Sequence, residues 1–203
     1  MITALSREVI ESGNAETLVR DALLQATGLD AKLFDANAAV ADLRPAGLLN
    51  GKVVLTPSAN TDKTQAMIAD LSALAAAVAP YAGNGGICFV AAAKQAVAVN
   101  IGLPENFPYP LLVSTSLSAG TVIAIATPAL VTALGAQPQI DEAPHASVHM
   151  DSAPGQIASG GVMSSPVTAM FSTDKVTLRL RWPITWALRD ANGIAFVNAA
   201  SWP

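Results

Sequence analysis

Residues 95–174 contain no lysine or arginine: after Lys94 the next is Lys175, and Arg179, Arg181 and Arg189 then follow closely. These side chains normally mark solvated faces, so a stretch this long without them predicts surface that is buried or packed against neighbours. The whole chain shares the tendency. Of its 203 residues 52% are hydrophobic and only 13% charged, against about 25% charged in an ordinary soluble domain. That composition argues against disorder and asks for a large core, a surface covered by copies of the chain, or both. The length fits one large domain or two small, closely joined ones.

Several classes are disfavoured at once. The best apolar run, Thr121 to Thr127, meets Pro128 and falls short of the roughly 20 residues of a membrane-spanning helix. The opening residues Met1 to Ser6 lead into Arg7 and Glu8 and read as an amphipathic helix, not a signal peptide. A single Cys88 cannot form an internal disulfide, so an intracellular, reducing origin is expected. Net charge of −4 argues against a generic nucleic-acid-binding surface.

Along the chain, Leu5, Val9 and Ile10 recur at helical spacing, and Asn14 is placed to cap a second helix from Ala15 to about Thr27, stopped by Gly28. Leu29 to Ala41 reads as one more short helical piece, and Val53 to Leu55 as a short strand. The clearest helix starts at Asp62, which with Gln65 resembles a capping box. Met67, Leu71, Leu74 and Val78 form its stripe, and Pro80 is expected to end it. Ile87 to Val90 is a buried strand and Ala91 to Val97 a short helix. Leu111 to Val113 and Thr121 to Ile125 read as two strands joined across Ser118-Ala119-Gly120. Gly135 to Gly161, with Pro138, Pro144 and Pro154, reads as a long loop or irregular arm. Val176, Leu178, Leu180 and Trp182 alternate with Thr177, Arg179 and Arg181, a strand period of two. Asn192-Gly193 predicts a hairpin between Ile184–Arg189 and Ile194–Val197. Alternation of helices and strands over 53–126 suggests an α/β or α+β core.

Reactive chemistry finds little support. His145 and His149 could share a helix face as metal ligands, but Pro144 and the surrounding serines and glycines oppose a helix, and no third ligand stands out. Cys88 could be a nucleophile with a distant histidine as base; inside Ile87-Cys88-Phe89-Val90 a buried, inert thiol is the more ordinary reading. Gly83-Asn84-Gly85-Gly86 precedes a strand instead of following one, so it reads as a turn and not a phosphate cradle. Arg179, Arg181 and Arg189 could bind phosphates, but no stacking aromatics interleave with them, so they read as a solvated strand face or as partners of carboxylates on another subunit. Asp141-Glu142 is assigned to the loop without a partner. No catalytic, cofactor-binding or metal-binding residue is assigned.

Three segments, in order, resemble the major capsid proteins of tailed bacteriophages, particularly those of prophages. The first runs through Leu5–Ser12 and Ala15–Leu23 to Arg44–Gly51, and is similar to the end of the family's long spine helix and its Pro-x-Gly connection. The second, Asp62 to Val78 with Ile87 to Val90, is similar to the core of the axial domain. The third, Ser165 to Asp174, Val176 to Arg189 and Val197 to Trp202, resembles the closing strands.

The resemblance implies the α+β, Hong-Kong-ninety-seven-like fold of tailed phages and herpesviruses. It divides the chain into 1–50 (end of the spine helix, peripheral domain), 51–135 (axial α/β core) and 136–203 (irregular arm and closing strands). It implies a structural subunit, not an enzyme, that self-associates into pentamers and hexamers of an icosahedral head in the virion and is made in the host cytoplasm. Scaffold or protease, portal and packaged DNA are the further partners implied; no membrane is. Family members begin with an N-terminal arm and an extended two-stranded loop, so the resemblance also implies that this is the C-terminal portion of such a subunit. An encapsulin-like nanocompartment shell is an alternative with the same fold. A small α/β enzyme of unknown chemistry is the alternative from another class, favoured if a pocket joined Cys88 to His145 or His149.

Overall fold

A computed structural model of the chain describes residues 2–8, 19, 21–23, 25, 28–39, 44–52, 54–103, 107–135, 137–148, 157–159, 162–164 and 167–202. Its elements are β1 (Ile2–Ser6), α1 (Leu29–Leu33), α2 (Lys63–Ala82), β2 (Ile87–Ala92) and α3 (Ala93–Gly102). Then come β3 (Leu111–Ser114), β4 (Val122–Ala126), β5 (Leu130–Leu134), β6 (Gln139–Ala143) and β7 (Ser147–Val148). The last are β8 (Ile157–Ser159), β9 (Val162–Ser164), β10 (Thr168–Ala169), β11 (Lys175–Arg181), β12 (Ile184–Leu188) and β13 (Ile194–Val197). They form two compact units, each built from separate stretches: Met1–Thr27 with Leu134–Pro183, and Gly28–Ala133 with Ile184–Pro203.

The second unit is built on a four-stranded sheet in the order β13-β4-β2-β3, where β2 and β3 are parallel and the other pairs antiparallel. The two faces of this sheet carry different side chains. Phe89, Ala91, Val122, Ala124 and Ala126 face α2, whose Met67, Leu71, Leu74 and Val78 are all buried against them. The alanines keep this face flat enough for the helix to approach. Val90, Ile123, Ile125 and Phe196 point the opposite way, onto Leu48, Leu49 and Trp186. Both faces are covered, so β4 is buried at every position, as expected for a strand that reads as a continuous apolar run. Burying a side chain such as Leu74 contributes about 1.5–3 kcal/mol.

Helix α2 starts as its sequence predicts: the Asp62 side chain accepts from the Thr64 and Gln65 amides. It does not stop at Pro80 but runs two residues further, to Ala82. A proline in the final turn removes one hydrogen bond, to the carbonyl of Ala76, and Ala76 is exposed, so water can take that carbonyl. By length and composition α2 could cross a membrane, which corrects the choice of Thr121–Thr127 as the best apolar run. Its stripe is occupied by the sheet instead.

Other expectations are corrected here. The two strands expected on either side of Ser118-Ala119-Gly120 are not neighbours: β2 lies between β3 and β4. Asn192-Gly193 does not close a hairpin, because β12 pairs with β5 while β13 pairs with β4. Gly193 is instead pressed against Ala129, where a side chain would collide. Of the piece expected over Leu29 to Ala41, Leu29–Leu33 is helical and 35–39 are not; Val40 and Ala41 lie outside the described residues. Val54 makes a single bridge, to Phe196; Val53 lies outside the described residues.

In the first unit β11 is the centre of an antiparallel sheet, flanked by β1 and β6. Val176, Leu178 and Leu180 bury one face against Leu23, with Leu5, Val19 and Ile140 around them. Of the helix expected at the start, Ile2–Ser6 is therefore a strand paired with Lys175–Arg179, and Arg7 and Glu8 are helical. The open edge of β11 offers Ile2–Ser6 a full row of ladder partners; Val9 and Ile10 lie outside the described residues. Of the next expected helix, Val19, Asp21–Leu23 and Gln25 are helical, and Gly28 follows with the left-handed backbone that a helix stop requires. Nor is Gly135–Gly161 simply irregular: β6, β7 and β8 arise in it.

Candidate assembly surfaces

Residues with reactive potential are each satisfied locally. The Cys88 thiol faces the carbonyl of Phe89 at 3.7 Å, and burial pushes its pKa up, which keeps it protonated and weakly nucleophilic. The His145 ring packs on Phe171, centroids 5.7 Å apart; His149 lies outside the described residues. Among the described residues no three His, Cys, Asp or Glu side chains are grouped to hold a metal ion. Gly83-Asn84-Gly85-Gly86 is the turn between α2 and β2, where the Gly85 carbonyl accepts from Thr127 Oγ1 at 2.6 Å.

Asp141 lies on β6, not in a loop, and it has partners. Register places it opposite Arg179, whose Nη2 donates to it at 3.0 Å, and Arg181 Nε stands at 3.0 Å as well. The Arg179 hydrogen bond, joined by the charges of both guanidinium groups, outweighs desolvation and holds the carboxyl below its usual range. These arginines thus meet a carboxylate of their own chain, across a strand pair that sequence alone does not specify.

The described residues also leave much apolar surface exposed. Of eleven large hydrophobic side chains exposed among the described residues, eight fall within the cation-free stretch 95–174. Leu112 and Val113 lie on β3 at the edge of the four-stranded sheet, 57% and 56% exposed. Val131 and Leu134 stand out from the two-stranded ribbon of β5 and β12. Val97 and Ile101 line the outer side of α3. A monomer seldom leaves so much apolar edge and ribbon uncovered.

The likenesses of the chain point the same way. No family model matches it. Over 99% of its length it is 29% identical to a capsid polyprotein of Pseudomonas phage PAJU2, and it spans 33% of that relative. A solved structure from Mycobacterium phage Adephagia superposes on all of the chain and 71% of its own, with a TM-score of 0.65 at 17% identity. This chain has the phage capsid-protein fold. The virus-like particle from Pyrococcus furiosus shares the capsid fold too, with a TM-score of 0.62 and 12% identity over 97% of this chain and 73% of its own. The α+β class expected from the sequence is the one found, and the capsid fold accounts for a layered core that leaves strand edges and a ribbon bare.

Proposed function

We propose that the chain is the shell-forming part of a phage major capsid subunit, which self-associates into pentamers and hexamers of an icosahedral head enclosing DNA. The observation that carries this reading is the similarity, across nearly the whole chain, to a capsid polyprotein. The exposed apolar side chains of β3 and β5, Leu112, Val113, Val131 and Leu134, support it as the material of subunit contacts. We assign the unit of 28–133 and 184–203, which holds all but the last two residues of the expected core 51–135, to the axial domain at the capsomer centre. The unit of 1–27 and 134–183 then belongs to the peripheral domain. Scaffold or protease, portal and DNA would be its further partners, and the virion its final location, after synthesis in the host cytoplasm. The chain acts as a building block, not an enzyme.

A second reading, a nanocompartment shell with a cargo, draws on the likeness to the virus-like particle. Negative-stain microscopy of the complete gene product tests both. Hollow shells or capsomer rings are expected, with nucleic acid in the particles for a phage head and protein cargo for a compartment. A dispersed monomer at high concentration would overturn both.

A further inference from the structure

Helices α2 and α3 enclose an open groove of about 600 Å3. Its floor is Met67, 3% exposed, and one wall is the outer side of α3. On that wall Lys94, Val97, Ala98 and Ile101 recur at helical spacing, with Val97 56% and Ile101 75% exposed. An apolar helical stripe bared to this degree lacks its partner surface. Among the described residues the charged side chains lining the groove are Lys63 and Lys94, with no carboxylate; Glu105 lies outside the described residues. Asp62, the nearest acid in sequence, is committed to the amides of Thr64 and Gln65 at 2.8 and 3.2 Å. Lys63 Nζ has only a neutral contact, Ser201 Oγ at 3.4 Å.

We propose that this groove docks an acidic amphipathic helix, whose apolar residues enter between α2 and α3 while its carboxylates meet Lys63 and Lys94. A groove between the first turn of α2 and one side of α3, with apolar side chains at helical spacing, suits the helix-in-groove mode of recognition. The pair of lysines selects charge: opposite sign steers the partner in and like sign costs affinity. The same lysines disfavour a second α3 laid face to face, which would bring four cations together. The proposal goes beyond the shell reading and does not depend on it.

The test uses the chain as it is and two synthetic helices of about four turns with identical leucine faces, one flanked by glutamates and the other by lysines. Fluorescence anisotropy is expected to show saturable binding of the glutamate peptide alone, weakened by salt. Lys94→Glu should weaken it about tenfold, and Ile101→Asp should abolish it. Both side chains are exposed, and unchanged melting temperatures would verify that the variants fold. Equal binding of the lysine peptide, no binding of either, or binding that survives Ile101→Asp would overturn the proposal. So would self-association of the chain that excludes the peptide and is lost in Ile101→Asp, which would make a second copy the occupant. Shell formation by the complete gene product is scored separately, so the failure of one reading is distinguishable from the failure of the other.

Discussion

The indole Nε1 of Trp202 donates to Asp70 Oδ2 at 2.8 Å, across 132 residues of sequence, with both side chains buried. The other carboxylate oxygen accepts from the Ser58 amide at 2.6 Å. The Trp202 carbonyl in turn accepts from Gln95 Nε2 at 3.4 Å, and Gln95 Oε1 accepts from the Gly120 amide at 2.8 Å. A polar chain thus runs through an apolar interior, tying α2 and α3 to the closing segment. Asp70→Ala strips the indole and the Ser58 amide of their acceptor at once. A loss of about 2–3 kcal/mol is expected, read as a lowered urea midpoint.

Leu74 is fully buried between α2 and the sheet. Leu74→Ala should cost about 2–5 kcal/mol, the range for a leucine cavity that neighbours fill only partly. Urea unfolding with an unchanged slope would place the loss in the folded state; a loss under 1 kcal/mol would mean that α2 resettles on the sheet.

Asp30 accepts from Ser114 Oγ at 2.7 Å and from Ser116 Oγ at 2.9 Å, fastening α1 to the end of β3. Burial alone would raise its pKa, but the two hydroxyls and the Ala31 amide outweigh this and hold it below the ordinary value. A lowered folded pKa contributes stability that is present above the ordinary carboxylate range and lost as pH falls through the folded value. Ser114→Ala should move the Asp30 titration, followed by carboxyl NMR, upward and flatten the acid limb of stability. An unmoved titration would separate the serine from the carboxylate.

Leu112→Lys and Val131→Lys place a cation where residues 95–174 have none. Both positions are exposed, so stability should change by no more than about 0.5 kcal/mol. Particle formation by the complete gene product should nevertheless fail, as seen by microscopy and sedimentation. Normal particles from both variants would remove β3 and the β5–β12 ribbon from the contact surface.

Local order was legible wherever a short-range pattern was long enough to decide a conformation. Asp62 with the Met67, Leu71, Leu74 and Val78 stripe specified α2, the apolar runs specified β2 and β4, and the alternation after Lys175 specified β11. The exposed stripe of α3 was detectable from Lys94, Val97 and Ile101 had the helix been extended to Gly102. Partnership was not legible. Whether Ile2–Ser6 becomes helix or strand depends on an edge of β11 lying some 170 positions along the chain, and Asp141 finds Arg179 only through the register of β6. Asn192-Gly193 carries the turn chemistry of a hairpin, yet its flanking strands are claimed by β5 and β4. The physical reason is common to all three. Side-chain periodicity sets which local conformation buries an apolar face, whereas strand pairing is settled by competition among all free edges, and that competition exists only in the assembled tertiary structure.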